Sequence, residues 1–248
     1  MTVRLVVPYG VYEEPRLHRS RSYFPPAALV IAEGTPGASM SIPVEVPGLD
    51  MILPELPEGK LVIAESGADS AKSFFVRRLS LTAGRAGWPV TFVTSRDRDE
   101  LQAQFSAEHG PAPMPERWVE ILERDEIAEL DEFGRGGGLL AIDSFSFLTL
   151  DLPADALARS LRKLRALCRR RGTTAVLGTD RGMFEPRNEA IAVHMADGLL
   201  QFHTREGPEG VVRYLRVPKW MDRSFVDRNI YYEFDGKRLA IDLRRRVL

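Results

Sequence analysis

The sequence predicts an α/β fold with a largely parallel central sheet flanked by helices, and three observations support this prediction. Short apolar runs alternate with helical patterns between residues 61 and 178, as in proteins whose parallel strands are joined by helices. Residues 198–243 show strand patterns separated by glycine-containing turns, which predicts antiparallel C-terminal strands. Residues 1–40 are rich in Pro, Gly and β-branched residues, and they predict a small β-rich extension in front of a main domain at 41–248.

Each predicted strand is a short apolar or β-branched run between turn residues. These runs lie at 3–7, 28–32, 41–46, 61–64, 90–94, 139–142, 174–178, 198–203, 211–217, 230–234 and 238–243. Helices are predicted at 72–86, 97–109, 117–133 and 154–171. The last of these carries one apolar stripe at helical spacing, which predicts the face that packs against the sheet; its members are Leu157, Leu161, Leu164 and Cys168.

The composition excludes several classes of protein. The 248 residues suffice for one large domain, and 44% apolar with 28% charged residues is ordinary for a globular protein. A net charge of −1 provides no overall field that would attract nucleic acid or a membrane surface. The single cysteine, Cys168, cannot form an internal disulfide, and no apolar run approaches the roughly 20 residues of a membrane helix. We therefore expect a cytoplasmic protein.

The segment from Ser66 to Ser73 has the layout of a phosphate-binding loop. A predicted strand runs into a turn of small residues, and Lys72-Ser73 opens a helix, so that backbone N–H groups, lysine and hydroxyl can converge on phosphates. Ser66 and Ala71 replace the two glycines of the pattern G-x-x-x-x-G-K-[ST]. Lysine followed by serine is also an ordinary helix start, which is the alternative. The predicted nucleotide contacts are Ser66, Gly67, Ala68, Asp69, Ser70, Ala71, Lys72 and Ser73.

Two later strand ends carry polar residues that suit the same site. An apolar strand at 139–142 ends in Asp143, which is the Walker-B pattern of a carboxylate that holds magnesium. Asp143-Ser144 is equally suited to cap a helix or a turn. Thr179-Asp180 follows the strand at 174–178, and we predict that Thr179 contacts the γ-phosphate, the alternative being an ordinary loop residue.

The strand at 90–94 ends where proteins of this class carry the carboxylate that activates water. Asp97 is the candidate for this catalytic role. The same residue stands directly before a predicted helix, so that an N-cap is an alternative of equal weight.

Other segments resemble the KaiC-like proteins of the RecA superfamily. Residues 44–50, VEVPGLD, are similar to the lead-in T-G-I-P-G-L-D of that family, and Ala196-Asp197-Gly198 resembles its A-D-G turn. Val217-Pro-Lys219, followed by a strand with Tyr and Phe, resembles its C-terminal hairpin. The resemblance covers roughly residues 40–243. It implies a RecA-like P-loop NTPase fold that binds ATP and Mg²⁺, and a homo-oligomer (a hexamer in this family) or assembly with a related subunit.

The resemblance also assigns individual roles and exposes departures. Ser73 and Asp143 would bind magnesium. Lys219 would be a catalytic finger that reaches the nucleotide of a neighbouring subunit, and Met221 stands where the family carries an arginine. Arg96 and Asp97 stand where the family usually has two glutamates, one of them the base.

Two loop residues are expected to weaken nucleotide binding. If Ala71 requires a positive φ, its Cβ costs about 1–2 kcal/mol. Asp69 places a carboxylate inside the loop, where one like-charge contact at ~5 Å costs roughly 3 kcal/mol at an effective dielectric constant of ~20.

These departures favour a KaiC/RecA-like protein whose ATPase is impaired or lost, with residual ATP binding and a regulatory or assembly role. One alternative is an active ATP-hydrolysing member of the group. Another is a DNA-binding recombinase paralogue, which would use the basic residues 169–171. A solvated helix end with basic residues near its C-terminus is the favoured explanation of those arginines, and no membrane contact is expected.

Overall fold

The computed structural model describes residues 41–67, 71–110, 115, 118–127, 130, 133, 137–207, 210–221 and 229–242. The strands in this part of the chain are β1 (Ser41–Pro43), β2 (Glu55–Pro57), β3 (Leu61–Ser66), β4 (Val90–Thr94), β5 (Glu120–Glu123), β6 (Gly138–Asp143), β7 (Thr173–Asp180), β8 (Gly198–Gly207), β9 (Gly210–Trp220), β10 (Ile230–Phe234) and β11 (Leu239–Ile241). The helices are α1 (Ala71–Arg85), α2 (Arg98–His109), α3 (Phe145–Leu148), α4 (Ala154–Arg171) and α5 (Pro186–Met195). The predicted extension 1–40, with its strands at 3–7 and 28–32, lies outside the described residues.

Nine strands form the main sheet, in the order β11-β10-β9-β8-β3-β7-β6-β4-β5. The six strands from β8 to β5 run parallel to their neighbours. The strands β9, β10 and β11 continue the sheet in antiparallel pairing. The predicted fold class is therefore confirmed, and the small pair β1–β2 forms a separate antiparallel sheet.

Both faces of the central sheet are covered, because side chains alternate along each strand. Along β3, Val62 and Ala64 pack into the core that contains α1, while Leu61 and Ile63 pack into the core that contains α4. The predicted stripe of α4 is buried in the second core, as expected. This two-sided burial explains why the central strands are continuous apolar runs.

The prediction of a helix at 117–133 is wrong for its middle part. Residues 120–123 form β5, which pairs in parallel with β4 at the edge of the sheet. Ile121 is buried and Leu122 is half-buried. Acidic residues favoured a helix in the sequence, but the open edge of β4 supplies backbone hydrogen-bonding partners that local sequence does not show.

Other elements were missed by the predictions or differ from them in length. The helices α3 and α5 and the strand β2 were not predicted, and the strand at 41–46 is confined to 41–43. The strand predicted at 198–203 continues to Gly207 in β8, and the prediction ended early because the exposed residues 204–207 lack the apolar pattern of a strand. None of the helices in the described part of the chain is long and apolar enough to cross a membrane.

Candidate functional site

The carboxyl ends of β3, β6 and β7 form one edge of the sheet. The register pairs Ser66 of β3 with Asp180 of β7, and Asp143 of β6 with Gly178 of β7. Helix α1 begins at Ala71, shortly after β3 ends, and it brings Lys72 to the same edge. Open α/β sheets bind their ligands at such carboxyl edges.

Lys72 is buried between two carboxylates. Its side chain is 2% exposed, and Nζ lies 2.8 Å from Asp180 Oδ1 and 2.9 Å from Asp143 Oδ1. The contact with Asp180 is a hydrogen bond that Lys72 donates. The contact with Asp143 is an ion pair whose oxygen has no aligned hydrogen-bond donor among the described residues. The structure thus brings together the predicted Lys72 and Asp143, and it adds Asp180.

Asp180 is held from its other side by two serines. Ser144 Oγ donates a short hydrogen bond to Asp180 Oδ2, and Ser146 Oγ lies 3.4 Å from the same oxygen. The backbone N–H of Asp180 donates to Ser146 Oγ at 2.9 Å. Ser144 is also the N-cap of α3. The helix-cap alternative is therefore observed for Ser144, while Asp143 points its carboxylate at Lys72.

Gly178 makes room for the Asp143 carboxylate. A Cβ atom built on Gly178 would lie 2.4 Å from Asp143 Oδ1, so the carboxylate would have to move away from its present position. The sequence analysis did not single out Gly178, because a glycine inside an apolar strand shows only that some group approaches closely. Asp180 was not a predicted contact either, although its place directly after Thr179 at the strand end was a usable signal.

Some of the other predicted nucleotide contacts lie within the described residues and others do not. Ser66 is buried at the end of β3, and its Oγ donates to the carbonyl of Gly67 at 2.9 Å. Thr179 is buried at the end of β7. The predicted contacts at Ala68, Asp69 and Ser70 lie outside the described residues.

Ala71 does not need a positive φ, so the strain expected there is wrong. It is the first residue of α1 and is buried. Among the residues that the structure describes, the non-glycine residue with a positive φ is Met221, at 53°. The second glycine of the loop pattern is replaced here at a helical position, where alanine is favourable.

A cavity of about 480 Å³ opens beside Ser73. Its size lies within the range of small-molecule sites, roughly 300–1,000 Å³. Arg77 Nη2 pairs with Glu108 Oε1 at 2.7 Å in its wall, and burial raises the pKa of Glu108 although Arg77 opposes the shift. The lining residues are Ser73, Arg77, Arg96, Gln104, Ala107, Glu108, Gly236 and Lys237.

Asp97 acts as a helix cap. It is the N-cap of α2, and its Oδ1 accepts a hydrogen bond from the backbone N–H of Glu100 at 2.9 Å. Both Asp97 and Arg96 are exposed. The capping alternative is thus what the structure shows for the carboxylate at this strand end.

Lys219 makes its contacts within its own chain. Nζ donates to the carbonyls of Val193 and His194, both at 3.2 Å, at the end of α5. Burial, followed by the neighbouring Arg165, lowers the pKa of Lys219. The backbone N–H of Met221 donates to the carbonyl of Asp197 at 2.7 Å.

Part of the basic surface of α4 is paired. Arg165 lies 2.6 Å from Asp197 Oδ1 and Arg169 lies 3.7 Å from it. Asp197 also accepts from the backbone N–H of Leu61 at 3.1 Å. These arginines thus help to fasten α4 to the sheet, which weakens the interpretation of this face as a nucleic-acid surface.

The mostly parallel sheet and this strand edge define the class of fold, which is RecA-like. A KaiC-like protein from the hyperthermophilic archaeon Pyrococcus horikoshii OT3 superposes with a TM-score of 0.64 at 19% identity, over 82% of this chain and 99% of that chain. The flagellar accessory protein FlaH of Methanocaldococcus jannaschii superposes with a TM-score of 0.68 at 15% identity, over 83% of this chain and 99% of that chain. The predicted resemblance is confirmed at the level of fold.

Residues 50–248 match the family of unknown function DUF7125, and the chain belongs to this family. No curated protein matches the sequence at a significant level.

Proposed function

We propose that this protein is a RecA-like module that binds ATP weakly, whose hydrolytic activity is impaired or lost, and that serves a regulatory or assembly role. The observation that carries the proposal is the end of β4. Oδ1 of Asp97 accepts the hydrogen bond that caps α2, and Arg96 has no lone pair with which to accept a proton. A general base must accept a proton from the attacking water, and we expect a capping aspartate beside an arginine to be a poor one.

We call the groups at the carboxyl ends of β3, β6 and β7 and at the start of α1 the phosphate edge. Their donor chemistry fits ATP and Mg²⁺. Lys72 supplies an ammonium and Ser73 a hydroxyl at the start of α1. Asp143 Oδ1 is buried without an aligned donor, and a magnesium-bound water would supply one. When bound, the metal offsets the charge of the phosphates. The cavity beside Ser73 would receive the nucleoside.

A role in assembly rather than independent catalysis has one further support. One of the similar structures is by its description a flagellar accessory protein. Such a role would involve a homo-oligomer or a complex with a related subunit. Sedimentation velocity with and without ATP would measure the assembly directly.

Calorimetric titration with ATP and Mg²⁺, combined with an assay of phosphate release, tests the proposal. We expect weak binding that is lost in Lys72→Ala, and phosphate release no greater than that of the same variant. The competing candidate is an active ATPase, which is favoured by the close approach of Lys72 to Asp143. Steady turnover that disappears in Lys72→Ala would establish that candidate and refute ours.

A further inference from the structure

We propose that Asp180 is an internal competitor for phosphate at Lys72, so that a nucleotide binds only when the Lys72–Asp180 pair opens. This inference rests on the proposed function, because it describes the regulation of the same site. Its physical basis is the contact between the buried ammonium of Lys72 and the carboxylate of Asp180. Asp180 lies outside the Walker-B pattern that ends in Asp143.

The first step of the argument is the occupancy of the ammonium. Lys72 has three N–H donors, and two carboxylate oxygens lie within 3 Å of its nitrogen. With two of its three donors facing carboxylates and only 2% of the side chain exposed, Nζ is available to a phosphate oxygen mainly in competition with those carboxylates. A ligand therefore displaces a group that is already bound.

The second step identifies the group that leaves. Asp143 is 5% exposed, while Asp180 is 29% exposed at the end of its strand. A carboxylate with access to water recovers its hydration on release, and a buried one does not. Asp180 is therefore the partner that a phosphate displaces.

The third step is charge. Two carboxylates face one ammonium in this group, so an approaching phosphate meets a surplus of negative charge. Asp180→Asn would remove one charge and keep one amide oxygen for Lys72, while its NH2 group can donate to Ser144 Oγ. The variant Asp180→Asn thus changes the competition without emptying the contact.

The fourth step explains why the competitor stays in place. Ser144 donates to Asp180 Oδ2, and the backbone N–H of Asp180 donates to Ser146 Oγ. These bonds orient the carboxylate toward Lys72 before any ligand arrives. Ser144→Ala removes one of the two side-chain contacts and is expected to weaken the competitor in part.

The experiment is a calorimetric titration of the full chain with ATP and Mg²⁺, repeated with inorganic pyrophosphate as a ligand without a base. We expect Asp180→Asn to lower the dissociation constant for both ligands at least about tenfold, a lower bound for removing one like-charge contact that water partly screens. Ser144→Ala should give a smaller change in the same direction. Asp155→Asn is the matched control, because its exposed carboxylate pairs with Arg159 on α4, and it should leave both constants unchanged.

The outcomes separate this inference from the function on which it rests. If wild type and Asp180→Asn bind with equal affinity, or if the variant binds more weakly, Asp180 is no competitor, while nucleotide binding stands. If neither binds at millimolar ATP, both proposals fail. If Asp180→Asn does not fold, Ser144→Ala decides, and an unchanged affinity in that variant refutes the inference.

Discussion

Two neighbouring stretches of the same sheet edge differ sharply in what their residues do. At the ends of β3, β6 and β7, Lys72 is buried between Asp143 and Asp180. At the end of β4, Arg96 is exposed and Asp97 caps the next helix. The first stretch gathers charged groups at a buried site, and the second presents its charged side chains to solvent. Under our proposal the first stretch would hold phosphate, and the second would supply a poor base for hydrolysis.

The buried contacts of Lys72 also change how the lysine of the loop pattern is interpreted. A buried ammonium without a counter-charge is costly, and so are the two carboxylates beside it. Lys72 therefore has a structural role in holding Asp143 and Asp180 that is independent of any ligand. Its presence in the sequence is no proof that ATP is hydrolysed.

The largest effect on stability is expected from removing the charge of Lys72 at the phosphate edge. Lys72→Met keeps the length and apolar volume of the side chain but leaves two carboxylates without a cation. We expect the free energy of unfolding, measured with urea, to fall by roughly 3 kcal/mol. Arg159→Met, which breaks an exposed pair with Asp155, should cause no measurable change. An unchanged stability in Lys72→Met would show that the buried pairs do not support the fold.

An intermediate effect is expected at the end of β4. Asp97→Ala removes the side-chain cap of α2, so the free energy of unfolding should fall by about 1 kcal/mol. Phosphate release should stay at its wild-type level, because this carboxylate is engaged with its own helix. Asp97→Ser, which keeps a capping oxygen, should restore stability.

The opposite result for Asp97→Ala would contradict the difference between the two stretches of the sheet edge. A loss of phosphate release in Asp97→Ala with unchanged stability would make this residue the base. Activity in Asp97→Ser would then remain low, since a hydroxyl is a poor base at neutral pH.

The smallest effect is expected from His203 on β8, next to β3. Burial, followed by the charges of Arg181 and Arg216, lowers the pKa of His203 below its usual 6.5. The unfolded chain therefore takes up a proton at a higher pH than the folded chain. The stability contribution is complete above the unfolded pKa and is lost as the pH falls through the folded pKa.

Urea unfolding of wild type and His203→Gln at several pH values between about 7.5 and 5 measures this contribution. We expect stability to decline toward acid in wild type and to decline less in the variant. Parallel curves would show that His203 takes no part in the pH dependence of stability.

The sequence supported most of the fold, for a local reason. The strands around Val62, Leu140 and Val176 are buried on both faces, so each is a continuous apolar run that is visible without a structure. Helix α4 was predicted with its full bounds, because its apolar stripe repeats over many turns. The strand β5 was missed because its partner, the edge of β4, is remote in sequence from its own residues.

The candidate site was predictable only in part. Lys72 and Asp143 each belong to a local pattern of strand and turn, and the structure brings them together. Asp180 follows the predicted strand at 174–178, but its contact with Lys72, like the role of Gly178, arises from the pairing of β7 with β6 and β3. The expected strain at Ala71 was wrong, because a replaced glycine does not reveal its backbone conformation.

The sequence alone determined the alternation of strands and helices, the place of the phosphate loop and the absence of a glutamate at the end of β4. These properties depend on periodicity and on the residues themselves. Only the tertiary structure decided that Asp97 is a cap, that Lys219 binds its own chain and that Lys72 is shared by two carboxylates. Each depends on distances between groups, which the packing of the sheet and its helices sets.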